Sequence, residues 1–160
     1  MNILLIADTH GAGIESRWAE WGHRVTIIAA RRVPVRAAFG VLARGLRVDR
    51  PDVVMAMPDV WPMVAAAWLV AIARRRPLVL AVRECQPAGS FWSRRAEALI
   101  VPADAVRASL IESGLPAGRI AVVADEKADE GRAGAVMQVL EIAAAGWGDR
   151  AGMACWDADS

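Results

Sequence analysis

The stretch that decides the fold is Asn2-Ile3-Leu4-Leu5-Ile6-Ala7, followed by His10-Gly11-Ala12-Gly13 and then Ile14-Glu15-Ser16-Arg17-Trp18-Ala19-Glu20-Trp21-Gly22. A six-residue aliphatic run reads as a strand buried on both faces, the glycine-bearing turn stops it, and the apolar spacing of residues 14–21 predicts a helix with Gly22 as its stop. Residues 24–30 then read as a second strand. Strand, turn, helix and strand in this order form a βαβ unit, which requires parallel pairing.

Working outward, the same alternation continues to the end of the chain. Helices are predicted over 35–46, 60–73, 91–97, 103–113 and 132–144, and strands over 52–57, 78–82, 98–101 and 119–124. The segments 83–90, with Pro87 and Gly89, and 125–131, which is acidic, read as connectors. Aliphatic strands separated by helices imply an α/β domain, a Rossmann-like doubly wound parallel sheet of about six strands. We expect one domain over residues 1–145, with residues 146–160, which lack a period, as a disordered tail.

With 160 residues, 56% hydrophobic and 23% charged, the chain can bury one core of ordinary size. The net charge of +1 hides a gradient: residues 1–95 carry 14 Arg against 7 acidic residues, and residues 96–160 carry 5 cations against 11. A basic N-terminal half suits an anionic membrane surface or a phosphorylated ligand, and it is equally an ordinary solvated surface. Of the 19 cations only Lys127 is lysine. Cys85 and Cys155 form no CxxC pair, so neither a zinc site nor a disulfide framework is indicated and a reducing cytoplasm is the expected compartment.

The apolar stretch 60–73 ends at Arg74-Arg75-Arg76. Fourteen helical residues reach about 21 Å, short of the roughly 30 Å hydrocarbon layer, so a buried helix is expected. Trp61, Trp68 and the triple Arg also suit a membrane interface.

Ligands of doubly wound sheets meet the loops at the carboxyl ends of the strands. The candidate loops are 10–13, 58–62 and 83–90. Gly11 and Gly13 let the backbone approach a phosphate at a helix start, while a simple tight turn explains them as well. The GxGxxG fingerprint is incomplete, and Arg31-Arg32 stands where a dinucleotide site needs an acidic residue, so no nucleotide cofactor is expected. Asp8-Thr9-His10 resembles the opening of calcineurin-like metallophosphoesterases, with Asp52 or Asp59 as later ligands. Two histidines, His10 and His23, cannot build that two-metal site, and no metal is expected. His23, before the second strand, reads as structural. Nucleophile elbow, Walker loop, HExxH and RNA-platform patterns are all missing, and no nucleic-acid partner is expected.

Several pieces together resemble the N-terminal half of family 4 glycosyltransferases of the GT-B type. They are the first strand, the Gly11–Gly13 loop, Glu15, Gly22-His23-Arg24-Val25-Thr26, Arg47-Val48-Asp49-Arg50-Pro51-Asp52-Val53-Val54, and Ala103-Asp104-Ala105-Val106 followed by Ser109, Gly114 and Arg119-Ile120-Ala121-Val122-Val123. The resemblance covers residues 1–125 and implies the acceptor-side half of a sugar transferase using a nucleotide-sugar donor. It implies that Gly11 and Gly13 approach the donor diphosphate, that Glu15 caps or orients their loop, and that Arg83 and Glu84 line the cleft. No catalytic residue is nominated. The family's Glu-x7-Glu pair has no counterpart here, so the resemblance further implies a truncated form, inactive alone, with a separate donor-binding chain as partner. A lipid-linked acceptor at a membrane surface suits the basic, apolar half and would place the protein peripherally on the membrane. The alternative is a degenerate Rossmann-like binding or interaction module without chemistry.

Overall fold

Aliphatic strands can bury both of their faces only where helices cover the sheet on each side. A computed structural model of the chain, which describes residues 1–7, 13–29, 35–57, 61–82, 91–124 and 129–154, shows this layering. The strands are β1 (Asn2–Ala7), β2 (Arg24–Ala29), β3 (Val53–Met57), β4 (Leu78–Ala81), β5 (Ala98–Val101) and β6 (Ile120–Val122). All pair in parallel, in the order β2-β1-β3-β4-β5-β6. The helices are α1 (Ile14–Glu20), α2 (Val35–Gly45), α3 (Trp61–Arg74), α4 (Phe91–Arg95), α5 (Asp104–Glu112) and α6 (Asp129–Ala154).

The two-residue period of the strands divides the core. Ile3, Leu5, Val53, Met55, Val79 and Ile100 point to the face covered by α1 and α6. Leu4, Ile6, Val54, Ala56, Leu80 and Leu99 point to the face that carries α2, α3 and α5. Across the first face Trp18 of α1, fully buried, donates its Nε1–H to the Ala133 carbonyl of α6 at 3.0 Å. Gly22 closes α1 as the sequence predicts: at φ +82 it donates to Ala19 O (3.0 Å), and His23 donates to Trp18 O (2.9 Å), the paired bonds of a left-handed helix stop.

The amino edge of the sheet is tied by polar groups. Asp52 Oδ2 accepts from the Asn2 N–H at 2.7 Å, and the Asp52 N–H donates to Asn2 O at 2.7 Å, so β1 and β3 are clasped before their first ladder pair. His23 Nδ1 lies 3.5 Å from the Met1 amino group, in keeping with a structural role.

The element order matches the sequence reading; most boundaries shift by one or two residues, and those of β6 and α6 have identifiable causes. Residues Ala117–Arg119 form a 3-10 turn, with Arg119 N–H on Pro116 O, so β6 begins at Ile120. Helix α6 begins at Asp129, inside the expected acidic connector, because Asp129 and Glu130 suit the positive end of a helix. It also runs to Ala154, past the expected end at 144 and into the stretch expected to lack structure. Ala143 is the last residue of α6 buried on the sheet among those whose burial is described, and the sequence after 144 has no apolar period to announce more helix.

Two substitutions test this packing. Gly45 ends α2 where an added Cβ would stand 2.7 Å from Val70 Cγ2 of α3. Helix propensity alone favours Ala by about 1 kcal/mol, and overpacking costs about 1–3 kcal/mol, so Gly45→Ala should lower stability in urea titration. Val70→Ala in the same chain should recover part of the loss, and a gain from Gly45→Ala alone would refute the close contact. Trp18→Ala should cost about 3–5 kcal/mol, with Trp18→Phe losing less because it retains most of the buried area.

Candidate functional site

In a parallel sheet the helices that follow the strands begin at the carboxyl edge, and here two of them begin on one face. Strand order reverses between β1 and β3, and the crevice at such a switch point is where ligands meet open α/β sheets. A shallow depression, open to solvent and with enclosed room of only about 20 Å³, lies at this edge over β3, β4 and β5, beside that switch point. Met55 and Ile100 form its floor, Met57, Ala81, Val101 and Val123 its rim on the sheet, and Ile14 of α1 and Val136 of α6 its walls. Arg132, on the first turn of α6, is the one ionisable side chain among its described lining.

Gly13 caps α1 at φ 85 and ψ −11, a left-handed conformation, and nothing lies within 4 Å of where a Cβ would stand. Its backbone angle, not crowding, therefore calls for glycine. Ser16 Oγ donates to Gly13 O at 2.6 Å and holds the turn. Glu15 follows Ile14 in the first turn, and its Oε2 is shut off from water with no hydrogen-bond partner among the described residues. A desolvated carboxylate oxygen without a donor is costly.

Of the residues expected at the site, the structure therefore places Gly13 and Glu15 at the start of α1, whose first residue, Ile14, lines the cleft. Gly11, Arg83 and Glu84 lie outside the described residues, as do Asp8, His10 and Asp59. Asp52 is at the opposite, amino edge, in the clasp with Asn2, and cannot share a carboxyl-edge site. Arg132 was not foreseen, because only the strand order brings the last helix beside the first. The N–H groups that suit an anion are divided unequally: α1 has seven residues and α6 has 26, so α6 has the fuller macrodipole. Apolar walls with one guanidinium among the described lining suit a flat or aliphatic group carrying a negative charge.

No family model and no curated protein matches the chain. Among solved structures it is similar to UDP-GlcNAc 2-epimerase from Methanocaldococcus jannaschii, with 15% identity and a TM-score of 0.60 over 77% of this chain and 45% of that one. It is likewise similar to UDP-N-acetylglucosamine 2-epimerase from Rickettsia bellii, with 14% identity and a TM-score of 0.60 over 88% and 47%. The Neisseria meningitidis UDP-GlcNAc 2-epimerase bound to UDP-GlcNAc gives 14% identity and a TM-score of 0.56 over 77% and 46%. The fold is a GT-B-like Rossmann domain. The chain spans less than half the length of these neighbours.

Glu15→Ala tests whether the carboxylate serves the free fold. It removes an unsatisfied buried oxygen, worth about 1–3 kcal/mol, against a helix-start charge worth about 0.3–1 kcal/mol, so the melting temperature should not fall. A clear fall would assign Glu15 a structural partner.

Proposed function

We propose that the chain is the acceptor-side half of a GT-B sugar-nucleotide enzyme of the family 4 glycosyltransferase kind, working against a donor-binding domain outside these 160 residues. The observation that carries this reading is the carboxyl-edge cleft of a GT-B-like sheet, with apolar walls and one cation among its described lining. Such a surface can hold one side of a ligand. Stabilising charge on a departing diphosphate takes several donors placed in advance, which a single arginine does not supply. In this reading Gly13 keeps the α1 turn low enough for a ligand to pass over it, Glu15 orients the loop before it, and Arg132 faces the anionic part of the sugar nucleotide. The same reading gives Gly11 to the donor diphosphate and Arg83 and Glu84 to the cleft, all three outside the described residues. The neighbours' work on UDP-GlcNAc supports a nucleotide-sugar ligand for this edge.

A second reading is a binding module without chemistry, which the largely apolar described lining also suits. Affinity purification of the tagged chain from its native cell at moderate salt, followed by mass spectrometry, separates the two. Recovery of a stoichiometric Rossmann partner carrying Glu-x7-Glu, and turnover of a nucleotide sugar by the pair, is the expected result. In that pair Arg132→Ala should raise KM for the sugar nucleotide at least tenfold, as loss of a charge-assisted contact does. Recovery of the folded chain alone would overturn the split enzyme and leave the binding module.

A further inference from the structure

Half of the large exposed apolar side chains among the described residues belong to one layer. Phe39 (67% exposed), Leu46 (40%), Leu69 (43%) and Ile72 (51%) all stand on α2, α3 or the turn after α2, and the remaining four are distributed over other elements. On α3, Leu69 and Ile72 are three residues apart and share a face, while Val70 and Ala71 between them are buried. The helix thus has apolar residues on both its inner and its outer side. An outer stripe of this kind has no role in the core of the fold.

The cations of the layer gather at one end. Arg44 and Arg47 flank the close of α2, and Arg74, Arg75 and Arg76 close α3. Arg74 Nη2 donates to the Leu46 carbonyl, so the two helix ends, and with them the two arginine groups, are held together. Arg44, Arg47 and Arg75 are exposed. Among the described residues of 35–82 the acidic side chains are Asp49 and Asp52, and Asp52 is occupied by the Asn2 N–H. The layer is therefore apolar in the middle and cationic at one margin.

We propose that the outer face of α2 and α3 docks on an anionic lipid surface, with Leu69 and Ile72 entering the interface and the arginines at the ends of α2 and α3 meeting the headgroups. Two parallel helices lying side by side on a sheet present a broad ridge, not a groove, which suits a bilayer better than a peptide. Charge complementarity selects anionic over neutral lipid, since each exposed cation near such a surface strengthens binding about fivefold. The contact is interfacial: among the described residues no helix is long and apolar enough to cross a membrane. This docking uses a surface apart from the carboxyl-edge cleft and is independent of what the cleft binds.

The test is flotation of the full chain with vesicles of pure phosphatidylcholine and of phosphatidylcholine with 30% phosphatidylglycerol, about 0.1 M salt being used first. The chain should float with the anionic vesicles and not with the neutral ones, and 1 M salt should release most of it, because the screening length falls to about 3 Å. The double variant Arg44→Gln with Arg47→Gln should bind about 25-fold more weakly. Leu69→Ser with Ile72→Ser should also weaken binding, by about tenfold or more. Ile142→Ser, at an exposed apolar position on α6, should leave it unchanged. Circular dichroism of each variant shows whether it remains folded. No flotation with anionic vesicles, equal flotation with both compositions, or release by Ile142→Ser alone would overturn the proposal. So would self-association of the chain, measured by sedimentation, that is abolished by the Leu69 and Ile72 substitutions.

Discussion

The hydrogen bond from Trp18 to the Ala133 carbonyl is the constraint on which the cleft depends. It joins residues 115 positions apart, across a face where the indole is fully buried. Trp18 lies one turn beyond Ile14 on α1, and Ala133 follows Arg132 on α6. One bond that satisfies a buried N–H therefore also sets the spacing of the two walls, because Ile14 and Arg132 line the cleft on either side. Burying tryptophan closes the core, and the polar end of its ring fixes the register of two helices that no short stretch of chain connects.

The two edges of the sheet have different chemistry. At the amino edge the polar groups are consumed in holding strands together: Asp52 on the Asn2 N–H, the Asn2 amide on Arg50 O, and His23 beside the Met1 amine. At the carboxyl edge Glu15 Oε2 is buried without a partner among the described residues, as Arg74 Nε and Arg107 Nε are elsewhere. The amino edge thus spends its polar groups on joining strands, while the carboxyl edge carries the cleft.

The strands and most helices were legible because their cause is local. β1, over Asn2–Ala7, and β5, over Ala98–Val101, follow from aliphatic runs bounded by turn residues, and the end of α1 from Gly22, since few other residues tolerate its left-handed angle. Where the cause was not local, the reading erred. Helix α6 runs past residue 144 to Ala154 although no apolar period marks that stretch, and β6 starts at Ile120 because a 3-10 turn precedes it. Of the site, Gly13 and Glu15 were visible as a turn and a helix start. Arg132 was not, because nothing in its neighbourhood distinguishes it from the other arginines of a chain with 19 cations.

The amino-acid sequence by itself determined that this chain forms alternating strands and helices, that its strands are buried on both faces, and that its N-terminal half is basic. These properties follow from side-chain type and period, which neighbouring residues specify. Only the tertiary structure decided the strand order β2-β1-β3-β4-β5-β6, which places the first and last helices on one face and makes a cleft between them. It alone showed that Leu69 and Ile72 face outward while Val70 faces Gly45. The physical reason is that burial depends on which surfaces meet, and surfaces far apart in the chain meet only after the whole sheet has formed.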